Sequence, residues 1–153
     1  MNRQVLKDFI IALKNPAWIC FLWLGLTVGI SFVAVPALFN AQSLARPQVL
    51  DAASAAFAAL SRAEIVALLM LLIAVRFSGK ARILWAFASV LTLIVLAQSV
   101  WLLPELASRA QQIVDGIQLP PSPAHAIYAV LELGKVLLLM TLGFRTLSSR
   151  STN

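Results

Sequence analysis

His125, Tyr128, Glu132 and Lys135 are spaced by 3, 4 and 3 residues. At about 100° per residue this spacing gathers all four within roughly 80° of one helix face. An imidazole, a phenol, a carboxylate and an ammonium on one stripe can bind a polar ligand, relay a proton or form an ion pair. The surrounding block, Ala124 to Phe144, is otherwise apolar and is long enough to cross a bilayer. Counting inward from Pro123 at 1.5 Å per residue, His125 lies about 3 Å deep, Tyr128 about 8 Å, Glu132 about 14 Å and Lys135 about 18 Å. Glu132 and Lys135 then straddle the midplane of a hydrocarbon core ~30 Å thick. A charge there costs ~2.5 to 3.5 kcal/mol on insertion scales if it faces lipid, so the stripe must face the protein interior or a wet cavity.

Other polar residues fall at a similar depth. Glu64 precedes the basic end of its own apolar segment by about eleven residues, Gln98 lies five residues before the end of another, and Ser31, with Thr27 below it, lies in a third. The expected assembly joins Glu64, Gln98, His125, Tyr128, Glu132 and Lys135 in a site that opens outward and is closed below by Leu69 to Ile73 and Val136 to Met140. Glu132 and Lys135 alone could be an ion pair that fixes helix packing. Glu64 is not explained by that pair. Two carboxylates facing one ammonium in a low dielectric leave an uncompensated negative charge, and such a place can accept a proton. Arg62 is the alternative source of the missing positive charge if it folds inward. His125 also suits an interfacial position, and Tyr128 can anchor at the interface with its hydroxyl on Glu132.

Metal, haem and nucleophile chemistry find little support. The chain has a single histidine and a single cysteine, Cys20, too few for paired axial imidazoles or a thiolate zinc site. A site built from His125, Glu132 and Glu64 would draw its ligands from different depths. Ser122, the serine three residues before His125, is read below as a helix N-cap and not as a nucleophile. No cofactor is expected.

The elements that must carry these residues are set by composition. Of 153 residues, 61% are apolar and 12% charged, about half the charged fraction of a soluble domain. Ala17 to Pro36 is twenty residues without a charge, and Ile83 to Leu103 is twenty-one. Ile65 to Val75 is too short to span alone and extends back through an Ala-rich stretch to about Leu50. The reading is all-α: one integral membrane domain over residues 1–153, a four-helix bundle with spans at about 17–36, 50–76, 82–103 and 123–144. Gly25 and Gly29 form a small-xxx-small pattern expected to serve packing within the bundle, with homodimerisation as the alternative. Trp18, Trp85 and Trp101 suit interfacial anchoring.

Pro36 is expected to end or kink the first span, and Ala37 to Pro47 to form a polar turn. Pro104 should bend the third span. An amphipathic periplasmic helix follows at about 105–115, carrying Arg109 and stopping at Gly116. Pro36, Pro104 and Arg109 are read as outer-face structural residues. Ser122 as N-cap and Pro123 at the first helical position should start the fourth span.

Basic residues set the orientation. Arg3, Lys7, Lys14, Arg76, Lys80, Arg82, Arg145 and Arg150 fall on one side, against Arg46, Arg109 and an outward Arg62 on the other. Both termini are therefore expected in the cytoplasm. A signal peptide competes for the first apolar block, but the block is longer than a typical h-region and no good small-x-small cleavage site follows, so it reads as an anchor. The formal charge of +6 is mostly this fringe, which meets anionic lipid and does not indicate nucleic-acid binding.

Phe32, Pro36 and Phe39 at the end of span one, Glu64, Leu103-Pro104 followed by Arg109 and Gly116, and then His125, Tyr128, Glu132 and Lys135 together resemble a family of small four-helix bacterial inner-membrane proteins, a domain of unknown function. The layout is more remotely similar to the copper-resistance-D-like membrane superfamily, some of whose members bind haem through histidines within the spans. Here no histidine lies deeper than His125.

These readings lead to a non-enzymatic, multi-pass protein of the bacterial inner membrane with an outward-facing polar site. It would serve in proton-linked small-molecule transport or as an accessory or assembly subunit of an envelope complex. Besides the lipid bilayer, the expected partner is a second copy or a larger membrane protein. A membrane enzyme acting on a lipid or quinone is the alternative, with Glu64 or Glu132 as general acid/base and Tyr128 or His125 as hydrogen-bond donor to the head group, and a purely structural membrane subunit is the third class.

Overall fold

The computed structural model describes residues 4–5, 16–77 and 81–148. Arg3, Lys7, Lys14, Lys80 and Arg150, used above for orientation, lie outside the described residues. Among the described residues four helices are long and apolar enough to cross a membrane: α1 (Pro16–Phe39), α2 (Arg46–Phe77), α3 (Arg82–Val114) and α4 (Ala124–Ser148). No strand accompanies them among those residues. The chain is a multi-pass membrane protein.

Its surface bears this out energetically. Val100, Val130 and Leu93 are 73%, 70% and 67% exposed, and comparable apolar side chains cover every helix. Such a surface is stable only where the solvent is hydrocarbon. Consecutive helices are neighbours and α4 closes most extensively against α1, so α2 and α4 lie diagonally and meet through long side chains. Leu71, Leu91, Leu139 and Leu142, all fully buried, form the inner apolar core with Trp23 and Cys20. A second apolar cluster, centred on Leu102, Ala124 and Tyr128, occupies the other end of the bundle.

Two helices run through their prolines. Span one was expected to end or kink at Pro36, yet α1 continues to Phe39; Pro104 likewise lies inside α3, and the expected separate helix at 105–115 is the last third of that helix. The physical reason is a local widening. A proline has no N–H and its ring collides with the carbonyl four residues back. In α1 the residues Val28–Ala34, and in α3 the residues Ala97–Leu102, are π-helical. The N–H just before each proline then reaches back five residues, Val35 to Ile30 O and Leu103 to Gln98 O. The extra residue per turn accommodates the ring without breaking the helix. The loop between α1 and α2 is consequently short, and Pro47 lies inside the first turn of α2, where no N–H is needed. Gln48 reaches back to accept the Ala45 N–H at 3.0 Å, half of a capping box,.

α3 stops where the sequence indicates. Gly116 takes a φ of +83°, its N–H donates to Ile113 O, and the Ile117 N–H donates to Gln112 O, the two bonds of a Schellman motif. At the start of α4 the Ser122 hydroxyl accepts the Ala124 N–H at 3.2 Å and donates to Glu105 Oε1 at 3.2 Å, which ties the fourth helix to the end of the third. Arg109 donates to Pro120 O across the same connector.

The glycines divide against expectation. Gly25 and Gly29 are exposed, and a Cβ on either would meet nothing within 4 Å, so their pattern faces away from the bundle. Close packing falls to Gly143, where a Cβ would lie 2.9 Å from the Phe21 ring, itself packed edge-on against Phe144. We expect Gly143→Val to cost about 1–3 kcal/mol through overpacking. Gly25→Ala and Gly29→Ala should be neutral or stabilising by up to about 1 kcal/mol through helix propensity. Thermal unfolding in mild detergent checks both signs, and a stable Gly143→Val would contradict the tight contact.

Candidate functional site

Each helix contributes to one buried polar cluster. On α4, Glu132 and Lys135 stand three residues apart and share a face. Lys135 is fully buried, and its Nζ lies 2.5 Å from Glu64 Oε1, 2.8 Å from Glu132 Oε2 and 2.9 Å from Gln98 Oε1. An ammonium has three N–H donors, and each has an acceptor on a different residue. Glu64 comes from α2 and Gln98 from the π-helical segment of α3.

The carboxylates are held from α1. Trp23 Nε1 and Thr27 Oγ1 donate to Glu64 Oε1 at 3.1 and 3.0 Å, so three donors converge on that single oxygen. Ser31 Oγ donates to Glu132 Oε1 at 2.6 Å, and Gln98 Nε2 donates to Glu132 Oε2 at 2.8 Å. Gln98 therefore accepts from the ammonium and donates to the carboxylate, orienting both. Among the described residues no fully buried side-chain nitrogen or oxygen lacks a partner. That satisfaction is what makes charge tolerable in a low dielectric. Ser61 and Ser99, hydrogen-bonded at 2.9 Å, add a neutral pair beside the cluster between α2 and α3.

The π-helical turns position two of the partners. Ser31 lies in one and Gln98 and Ser99 in the other. A widened turn rotates the residues that follow relative to an α-helical register, so the device that accommodates Pro36 and Pro104 also sets the side chains of the cluster.

Of the residues singled out by sequence, Glu64, Gln98, Glu132 and Lys135 are brought together. Tyr128 is buried one turn from Glu132 but packs edge-on against Phe57, with ring centroids 5.4 Å apart. His125 is exposed and lines a separate apolar cavity with Phe57 and Ser54. Arg62 is exposed and does not join the cluster, leaving Lys135 as its cation among the described residues. Glu64, Gln98, Glu132 and Lys135 are all at most 2% exposed. An outward opening is thus not part of this conformation. Trp23 was not anticipated. Its signal is present, since Trp23, Thr27 and Ser31 recur every four residues, but an indole reads as an interfacial anchor unless its N–H is matched to a buried acceptor.

Among the described residues no three of His, Cys, Asp and Glu gather as metal ligands. The cluster can hold charge, exchange a proton or lock the four helices in register.

A family model described as "Domain of unknown function (DUF4149)" matches residues 18–114, more than half of the chain. The match takes in Trp23, Thr27, Ser31, Glu64 and Gln98 and ends where α3 ends; Glu132 and Lys135 lie beyond it. No curated protein and no solved structure matches. Nothing in these comparisons supports the similarity in layout to the copper-resistance-D-like superfamily. The chain belongs to the DUF4149 family.

Proposed function

We propose that this DUF4149 protein is a non-enzymatic, proton-linked component of the bacterial inner membrane, with both termini in the cytoplasm. One observation carries the reading. Two carboxylates from different helices clamp a single ammonium, so the fully ionised cluster has a charge of −1 and one added proton neutralises it. A buried net charge is disfavoured at membrane depth, and three donors on Glu64 Oε1 leave Oε2 as the natural place for that proton. Uptake and release of the proton is the work the cluster can do. It couples either to movement of a small molecule or to an accessory or assembly role in an envelope complex. A bundle of this size calls for a second copy or a larger membrane protein as partner.

Orientation rests on the basic residues. Arg76, Arg82 and Arg145 flank one end of the helices, and Arg46 and Arg109 the other, as the positive-inside rule requires for a cytoplasmic C-terminus. A second reading, an enzyme acting on a lipid or quinone, draws on the apolar cavity beside His125. It requires a carboxylate within hydrogen-bond reach of the substrate, and Phe57 and Tyr128 stand between.

Infrared titration of the protein in lipid tests the proton. We expect a protonated carboxyl band that shifts in deuterium oxide and disappears in Glu64→Gln. Absence of any such band would remove the proton reading and leave a packing network. Native mass spectrometry from mild detergent separates the two roles, since a stoichiometric larger protein favours the subunit and a homo-oligomer favours transport.

A further inference from the structure

α2 and α4 share a register. Phe57 meets Tyr128 and Glu64 meets Lys135, both pairs at the same sequence offset, so the two helices run in the same direction along one seam. Carried one turn further, the offset pairs Ser54 with His125. Both line a cavity of about 180 Å³ between the end of α1, the start of α2 and the end of α3. Its other walls are apolar, with Val35 and Phe39 from α1, Phe57 from α2, and Leu103 and Leu106 from α3.

Size, depth and chemistry limit what fits. An apolar cavity of ~150 Å³ takes up benzene, so this one holds a single ring with a small substituent. Twenty residues of α2 counted from Phe77 cover the ~30 Å hydrocarbon core and end near Phe57. The cavity, which begins there and extends to Leu50, stands at the boundary between hydrocarbon and headgroups, where amphipathic rings partition. Mostly apolar walls with one or two polar groups are the usual composition of a small-molecule site. The exposed His125 imidazole and the Ser54 hydroxyl can each donate to or accept from an oxygen.

We propose that this cavity binds a single-ring aromatic amphiphile bearing a hydroxyl or carbonyl, of the phenol or benzoquinone type, with the ring against Phe39 and Phe57 and the oxygen at His125 and Ser54. The site stands apart from the proton reading, because Phe57 and Tyr128 separate it from the carboxylates.

Calorimetric titration of the full chain in lipid nanodiscs tests it, with para-cresol and toluene as probes and empty nanodiscs to subtract partitioning. We expect saturable para-cresol binding, weakened about tenfold by His125→Leu, the equivalent of one hydrogen bond, and lost in Ala107→Leu, which fills the cavity from an exposed position. Toluene should bind at least tenfold more weakly than para-cresol. No saturation above empty nanodiscs, equal binding of toluene and para-cresol, or para-cresol binding unaltered in both variants would each overturn the assignment. Both substitutions lie at exposed positions, and unchanged thermal unfolding separates lost binding from lost fold.

Discussion

Lys135→Met should be the most damaging single substitution in this protein, lowering its stability by about 3–5 kcal/mol, the cost of stripping one partner from a buried ion pair. The methionine fills most of the volume, so the loss is electrostatic. Glu64 and Glu132 would face each other across the core, each deprived of its cation, and Gln98 Oε1 would lose its donor. Lys135→Arg should not rescue, because a planar guanidinium cannot place its donors on three acceptors arranged around one ammonium nitrogen in a fully buried site. Neutralising the whole cluster in Lys135→Met with Glu64→Gln and Glu132→Gln should recover most of the loss, since uncharged groups of similar shape can replace a buried ion pair. Chemical denaturation in mixed micelles measures all three variants. If Lys135→Met alone retained full stability, the carboxylates would not be charged in the folded protein, and the charge count behind the proposed proton would fail.

Gln98→Leu ranks next, with an expected loss of roughly 3 kcal/mol. The amide makes two bonds to charged groups, one to the Lys135 ammonium and one to Glu132 Oε2, and such bonds contribute about 1.5–3 kcal/mol each. Leucine suits the apolar surroundings and recovers part of that. Gln98→Glu should be at least as harmful, because it keeps the acceptor for Lys135 but points a second carboxylate at Glu132 in place of the donor. Equal stability of Gln98→Leu and the starting protein would show that Glu64, Glu132 and Lys135 close the network without α3. A large loss in Gln98→Leu with a small one in Ser61→Ala, whose neutral bond should contribute only ~0.6 kcal/mol, would locate the network's energy in its charge-assisted bonds.

Much of the architecture is legible in the chain because hydrophobic length is a one-dimensional property. An uncharged run of about twenty residues must be buried or face lipid, so the four helices follow from Ala17 to Pro36, Ile83 to Leu103 and the two interrupted blocks. Local chemistry is legible as well. Gly116 ends α3 because only a residue free of a Cβ adopts its positive φ cheaply, and Ser122 caps α4 through its own hydroxyl. The 3, 4, 3 spacing from His125 to Lys135 identifies a polar face, and the shared depth of Glu64 and Gln98 places them near it.

What lay beyond the sequence was every question of azimuth and partner. Pro36 and Pro104 read as breakers because a proline removes one N–H, but whether the helix stops or widens depends on neighbours that hold it on both sides. Gly25 and Gly29 are as compatible with a buried seam as with a lipid-facing one, and only the packing of α1 against α4 turns them outward. Arg62 and Glu64 are two residues apart and so nearly opposite in direction; the bundle decides that the carboxylate enters and the guanidinium leaves. His125 shares its face with Lys135, yet ends at a cavity rather than the cluster, because ten residues of helix separate them by about 15 Å. The chain by itself determined how many helices cross the membrane, how far each extends and which faces cannot meet lipid, since burial depends on residue type and period. The tertiary structure alone decided which donor meets which acceptor, since that depends on how four helices rotate and slide against one another until each buried charge is matched.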